Sequence, residues 1–339
     1  KSSSAASPFW SRLASDDPGL AAALARASPE ALRDALAREV RARCAAFLRG
    51  IELYRRHPHA RAPSPWPVAW REGTTRLLDC APGGSGPPVL LVPSLVNRAY
   101  ILDLEPGRSF ARALAASGLR PFLVDWDRPG DVERGWGLDA YVSGRLLRCL
   151  DHVVAATGQP AILLGYCMGG LLAAPLALLR PGAVRALALF ATPWDFHAER
   201  PDLARAVAAQ ARAWLPAAEM IGEAPVDLLQ GLFATLDPLL AARKFIAFSR
   251  MDQASEEARG FVALEDWLND GVPLAARVAR EAMLGWYGDN APATGRWRIG
   301  GLPVLPGRIG VPALAVVPSR DRIVPPASAL ALARAIPGA

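Results

Sequence analysis

Short, continuously apolar runs at residues 89–92, 121–124, 161–164, 184–190 and 311–317 punctuate the chain. Between them lie longer stretches, at 108–117 and 138–156, in which apolar residues recur at helical spacing. A brief apolar run closed by turn residues reads as a buried strand, and the longer spacing as a helix. An earlier run, 74–80, precedes the turn PGGSGPP at 82–88 and reads as a first strand. Strand and helix thus alternate, which predicts an α/β fold built on a doubly wound, mostly parallel sheet. Ligands of such a sheet bind beyond the carboxyl ends of its strands.

The pattern changes outside this rhythm. Asp16 or Asp17 before Pro18 marks a helix start, and a second helix runs from Ser28-Pro29-Glu30 to Leu48. Its apolar residues Leu32, Leu36, Val40 and Phe47 are interleaved with arginines, so it reads as an amphipathic helix packed on the main domain. The same face would suit a membrane or a hydrophobic granule. The proline-rich stretch 58–67 is a tether, and His57 and His59 beside it read as solvated. From 198 to 298 no buried strand is evident; Ala- and Leu-rich helical runs are broken at Pro216, Pro225, Pro238 and Pro273, with Trp214, Trp267 and Trp286 as core. The expected organisation is a helical region and tether at 1–67, an α/β core at 68–197 and 299–339, and a helical cap at 198–298.

Composition narrows the classes. At 339 residues, 52% hydrophobic and 21% charged, the chain can bury a large core. A net charge of +6 and a pI near 9.5 invite a nucleic-acid reading. Lysine occurs only at positions 1 and 244, the arginines are scattered, and no nucleic-acid or zinc motif is present, so neither a nucleic-acid partner nor a metal is expected. Cysteines 44, 80, 149 and 167 fit no C-x-x-C spacing, and no secretory leader is evident; reduced thiols in a cytoplasm are the expectation. The opening residues 1–7 are polar and read as disordered. The uncharged run 161–179 approaches the about 20 residues that span a bilayer, but its three glycines and Pro175 argue against a membrane span.

That run contains the chain's main candidate for chemistry, Gly165-Tyr166-Cys167-Met168-Gly169-Gly170. A nucleophile on a sharp strand-to-helix turn needs small residues two positions away on either side, and Gly165 and Gly169 supply them. The helix end beneath Cys167 is expected to favour its thiolate. The competing reading is an inert core cysteine. Asp125 and Asp195 also fall at strand carboxyl ends. Residues 93–98 follow a strand where an α/β-hydrolase places the loop that donates an oxyanion-hole amide. Asp321, after the strand 311–317, occupies the position of a triad acid; as a turn residue beside Arg320 and Arg322 it has a structural reading as well.

Taken in order, the segments 95–104 (LVNRAYILDL), 124–126 (VDW), 164–170 (LGYCMGG), 191–196 (ATPWDF), 264–271 (LEDWLNDG) and 319–325 (SRDRIVP) resemble the catalytic domain of polyhydroxyalkanoate (PHA) synthases. The short region before the first strand is similar to the catalytic subunits of two-component synthases. The resemblance implies an α/β-hydrolase fold with an inserted helical cap. It implies an acyltransferase that polymerises 3-hydroxyacyl-coenzyme A through a thioester on Cys167, with coenzyme A thioester as substrate and no cofactor. Asp321 would orient the catalytic histidine, and the backbone amides of Met168 and Val96 would hold the oxyanion. The implied partners are the polyester chain, the surface of a cytoplasmic granule, and a second copy or a companion subunit. One departure stands out: the family's histidine follows the acid by a few tens of residues, and no histidine follows His197 here. Residues 336–339 read as the approach to a further strand, so the expectation is that this strand and the histidine lie beyond position 339. Recruitment of His197 with Asp195, a thioesterase or ester hydrolase on the same fold, and a non-catalytic granule-binding homologue are the alternatives.

Overall fold

A computed structural model describes residues 17–339; the expected polar start at 1–7 and a cap at Asp16 lie outside the described residues. The chain divides into two compact units, one of residues up to 58 together with 239–259, the other of 59–238 and 260–339.

In the first unit, α1 (Pro18–Arg26) is capped by Asp17, whose Oδ1 accepts from the Gly19 and Leu20 amides at 2.9 and 3.0 Å. Ser28 caps α2 (Pro29–Arg56) through the Ala31 amide at 3.1 Å. This helix runs well past the expected end at Leu48. It is sustained there by the Phe245 ring, which Phe47 and Tyr54 meet edge-on at 6.2 and 5.8 Å. Gly50 is buried between them, because a Cβ would come within 2.1 Å of the Phe245 carbonyl oxygen. Leu36, Val40 and Leu48 remain exposed. Phe245 belongs to Leu240–Phe248, a segment the sequence assigns to the cap; the expected 198–298 cap is therefore not one piece.

The second unit is organised by a seven-stranded sheet. Its strands are β1 (Val68–Glu72), β2 (Thr75–Asp79), β3 (Pro88–Val92), β4 (Arg120–Asp125), β5 (Ala161–Tyr166), β6 (Val184–Phe190) and β7 (Ala313–Val316). They lie in the order β1-β2-β4-β3-β5-β6-β7. The first two pairings are antiparallel and the rest parallel. Every residue of β3 is buried, which explains its unbroken apolar run: Leu90 and Val92 face one core cluster, Val89 and Leu91 another on the opposite side. β1 is an edge strand with exposed Val68, so it left no apolar run to read.

The helix α3 (Phe110–Ala116), capped by Ser109, packs on the Val89 side. On the other side lie α4 (Leu147–Thr157), which continues a π-helical turn at Ala140–Leu146, and α5 (Met168–Leu179). Residues 168–177 of α5 are all buried, so the uncharged run 161–179 is a central strand and the core helix behind it. Among the described residues no helix is long and apolar enough to cross a membrane. This unit also holds α6 (Pro201–Ile221), α7 (Val226–Leu236), most of Glu256–Asn269, Ala276–Arg280, which continues into a π-helical stretch at Glu281–Gly288, and Pro326–Ala335. Two expectations for this region fail. Pro216 sits inside α6, nearly two turns before its left-handed Gly222 cap, and costs a hydrogen bond without breaking the helix. A two-residue ladder, Glu223–Ala224 with Leu274–Ala275, supplies a strand where none was expected.

Candidate active site

Strand register brings the carboxyl ends together: Val92 pairs with Gly165, Tyr166 with Phe190, and Phe190 with Val316. The loops that follow β3, β5, β6 and β7 therefore leave from one end of the sheet. Between β5 and α5 the chain turns at Cys167, held at φ 54° and ψ −123° with its N–H donating to the Phe190 carbonyl at 2.8 Å. That conformation costs a non-glycine residue about 1–3 kcal/mol. The turn closes only because its flanks are bare. A Cβ on Gly165 would lie 2.3 Å from Gly170 Cα, and one on Gly169 would lie 1.9 Å from the Val92 carbonyl oxygen.

Half-buried Cys167 lines a pocket that opens to solvent. Its walls are apolar and include Leu171 of α5, Leu203 and Ala204 of α6, and Met283 and Trp286 of the π-helical stretch; Arg200 and Arg322 also line it. Burial pushes the Cys167 thiol up to about 11; the neighbouring Met168 backbone N–H works in the other direction, and the negative charge of Asp321 adds to the rise. The expectation that the helix end would favour a thiolate is thus overturned, because desolvation outweighs the single amide. Burial also pushes Tyr166 up to about 12 and raises Tyr287, whose hydroxyl feels the Cys167 charge.

The other expected site residues divide. Asp321 lies near enough to act on Cys167 electrostatically, and its Oδ1 accepts from the Ile323 and Val324 amides at 2.9 and 3.0 Å, so it also builds the turn that leads into α11 (Pro326–Ala335) once α8 (Leu240–Phe248), α9 (Glu256–Asn269) and α10 (Ala276–Arg280) are counted. Val96 lines the pocket, but its N–H already donates to Ser94 Oγ at 3.1 Å. Its carbonyl accepts from the Val272 amide at 3.3 Å, Asn97 bridges Gly271, and Arg98 pairs with Asp127 and Asp270. Asp125 is turned to Arg76 at 2.5 Å, away from the Cys167 pocket. Asp195 lines the pocket while its Oδ1 accepts from the His197 amide at 2.9 Å and from Asn290 Nδ2 at 2.8 Å. The His197 ring donates through Nε2 to the Tyr287 carbonyl at 2.8 Å and does not line the pocket, which removes the basis for pairing it with Cys167. His57, His59 and His152 do not line it either. His59 is not solvated: it is buried 3.6 Å from Glu105. Among the described residues no cluster of side chains could hold a metal ion.

Ser94 and Tyr287 were not singled out by the sequence. Ser94 had a local signal, a hydroxyl two residues before the amide it binds. Tyr287 had none, since a π-helical stretch decides which of its residues face inward.

A strained strand-to-helix turn at the carboxyl end of a parallel sheet defines a hydrolase-like α/β protein, and the sequence profile of the alpha/beta hydrolase fold matches residues 87–339. The chain is 31% identical over 254 residues to the poly(3-hydroxyalkanoate) polymerase subunit PhaC of Allochromatium vinosum, covering 74% of this chain and 71% of that protein. Its namesake from Synechocystis sp. is 34% identical over 260 residues, covering 74% and 68%. That of Haloferax mediterranei is 32% identical over 241 residues, covering 70% of this chain and 49% of the relative, about half its length. The chain belongs to the poly(3-hydroxyalkanoate) polymerase subunit family, on the α/β-hydrolase fold.

Proposed function

We propose that this protein transfers 3-hydroxyacyl groups from coenzyme A to a growing polyester through a thioester on Cys167. The observation that carries the reading is a cysteine held at positive φ in an apolar pocket, in a chain of this family. Sγ of Cys167, as thiolate, attacks the carbonyl carbon of the incoming thioester. A carbon–sulfur bond forms and the carbonyl electron pair moves to oxygen. Collapse of this oxyanion breaks the bond to coenzyme A, which leaves as thiolate. One thioester has replaced another, so the acyl group stays activated. The hydroxyl of a second hydroxyacyl group then attacks; Cys167 leaves as thiolate as the ester forms, and the hydroxyl proton passes through solvent to the departed coenzyme A thiolate. The Met168 N–H, next to Cys167 at the start of α5, would donate to the oxyanion; such a donor is typically worth about 3 kcal/mol. Asp321 is the acid that would orient an imidazole; the pocket residues assign no base. Apolar walls suit both the acyl chain and the exclusion of water, which separates transfer from hydrolysis. The test is coenzyme A release from 3-hydroxybutyryl-coenzyme A with analysis of the product. Polymer or oligomer, abolished by Cys167→Ala, is expected; unchanged release by that variant, or free hydroxy acid as sole product, would sink the proposal.

A further inference from the structure

We infer that the side-chain hydroxyl of Ser94, and not the Val96 amide, is the second hydrogen-bond donor to the oxyanion formed at Cys167. The inference rests on the acyl-transfer reading above. An amide carries one proton, and that of Val96 is directed to Ser94 Oγ at 3.1 Å. Releasing it would require the peptide to turn, yet the segment is pinned on its far side. The Val96 carbonyl accepts from the Val272 amide at 3.3 Å, Asn97 bridges Gly271, and the Trp267 indole N–H donates to the Arg98 carbonyl at 2.8 Å.

Ser94 has the opposite character. Its oxygen is used as an acceptor, which leaves its O–H free to donate, and among the described residues no acceptor takes that proton. Ser94 lines the same pocket as Cys167 and Met168. In a chain from the Val96 N–H through the Ser94 O–H to the oxyanion, Oγ keeps its bond from the amide and only the hydroxyl proton turns about the Cβ–Oγ bond. Each bond in such a chain polarises the next, so the amide strengthens the hydroxyl as a donor. No proton changes owner in this step; the carbonyl pair moves to oxygen as sulfur adds, and Ser94 and Met168 share the charge between them.

The two donors make opposite predictions for Ser94→Ala. If the hydroxyl is the donor, kcat for coenzyme A release from 3-hydroxybutyryl-coenzyme A falls about 100-fold with KM nearly unchanged, the loss typical of one such donor. Ser94→Thr, which keeps the hydroxyl, restores kcat to within a few-fold. A Ser94→Ala rate equal to or above that of the unsubstituted protein would assign the role to the freed Val96 amide and overturn the inference alone. Equal losses in the alanine and threonine variants would also overturn it, marking a packing effect. An unsubstituted protein that releases no coenzyme A would defeat the acyl-transfer reading first and this inference with it.

Discussion

Cys167 combines a backbone held at positive φ with a thiol that resists ionisation. With the thiol pushed up to about 11, the thiolate fraction at neutral pH is on the order of 10⁻⁴. Alkylation of Cys167 by iodoacetamide, followed in a Cys44→Ser background because Cys44 is exposed, should therefore rise about tenfold per pH unit from about pH 7 to 10. A plateau below about pH 8 would show a stabilised thiolate and contradict the burial argument. Asp321 contributes to the rise through its charge. Asp321→Asn keeps an acceptor for the Ile323 and Val324 amides while removing that charge, so alkylation should become a few-fold faster. If Asp321 is also the orienting acid, the same variant slows coenzyme A release, and the opposed signs separate the two roles. Release that accelerates along with alkylation would leave Asp321 as a charged turn residue only.

At the scale of elements, the turn at Cys167 depends on contact between backbones. Gly169→Ala would drive a Cβ to 1.9 Å from the Val92 carbonyl on β3, where no side chain can yield. The expected cost is about 3 kcal/mol, as for severe overpacking, read as a lower denaturation midpoint; a variant as stable as the parent would contradict this packing. Elsewhere in the same unit, buried Arg145 pairs with buried Glu133 at 3.2 Å and its guanidinium stacks over Trp136 at 4.5 Å. Burial alone would raise the Glu133 carboxyl, but the Thr74 amide and Arg145 together hold it below its ordinary value of 4.5. The stability this adds is present above about pH 4.5 and is lost as pH falls through the lowered value. Arg145→Ala strands the carboxylate and should cost about 3–5 kcal/mol in chemical denaturation at neutral pH; a loss below about 1 kcal/mol would mean the pair is not buried as described.

How much of this was legible follows from what each element buries. The parallel strands and α5 are covered on both sides, so their apolar runs announced them, and the glycines around Cys167 spoke through backbone contacts that allow no substitute. The edge strand β1 is half solvated and left no run. The continuation of α2 past Leu48 depends on Phe245, far away in sequence, which no local pattern reports. The sharp turn at Cys167 was readable from spacing alone, whereas the ionisation of its thiol depends on the depth of a pocket whose walls come from six separate segments. The occupied Val96 amide likewise became visible only once Ser94 and Val272 were placed beside it.

The whole molecule consists of a sheet-centred unit that carries Cys167 and a smaller helical unit that exposes Leu36, Val40 and Leu48. The profile match covers residues 87–339, so the α/β-hydrolase fold is carried by the region that holds Cys167, Met168 and Asp321. Everything proposed for the reaction passes through one covalent species, an acyl group on one sulfur among the four cysteines. Cys80 and Cys149 are buried and pushed up to about 12, which leaves Cys167 and exposed Cys44 as the accessible thiols. The decisive measurement is mass spectrometry of the intact and digested protein after brief exposure to 3-hydroxybutyryl-coenzyme A. A single hydroxyacyl group on the peptide that contains Cys167, absent from the Cys167→Ala variant, is the predicted result. Acylation at Cys44 alone, or turnover of the thioester with no acyl group ever resident on Cys167, would contradict it.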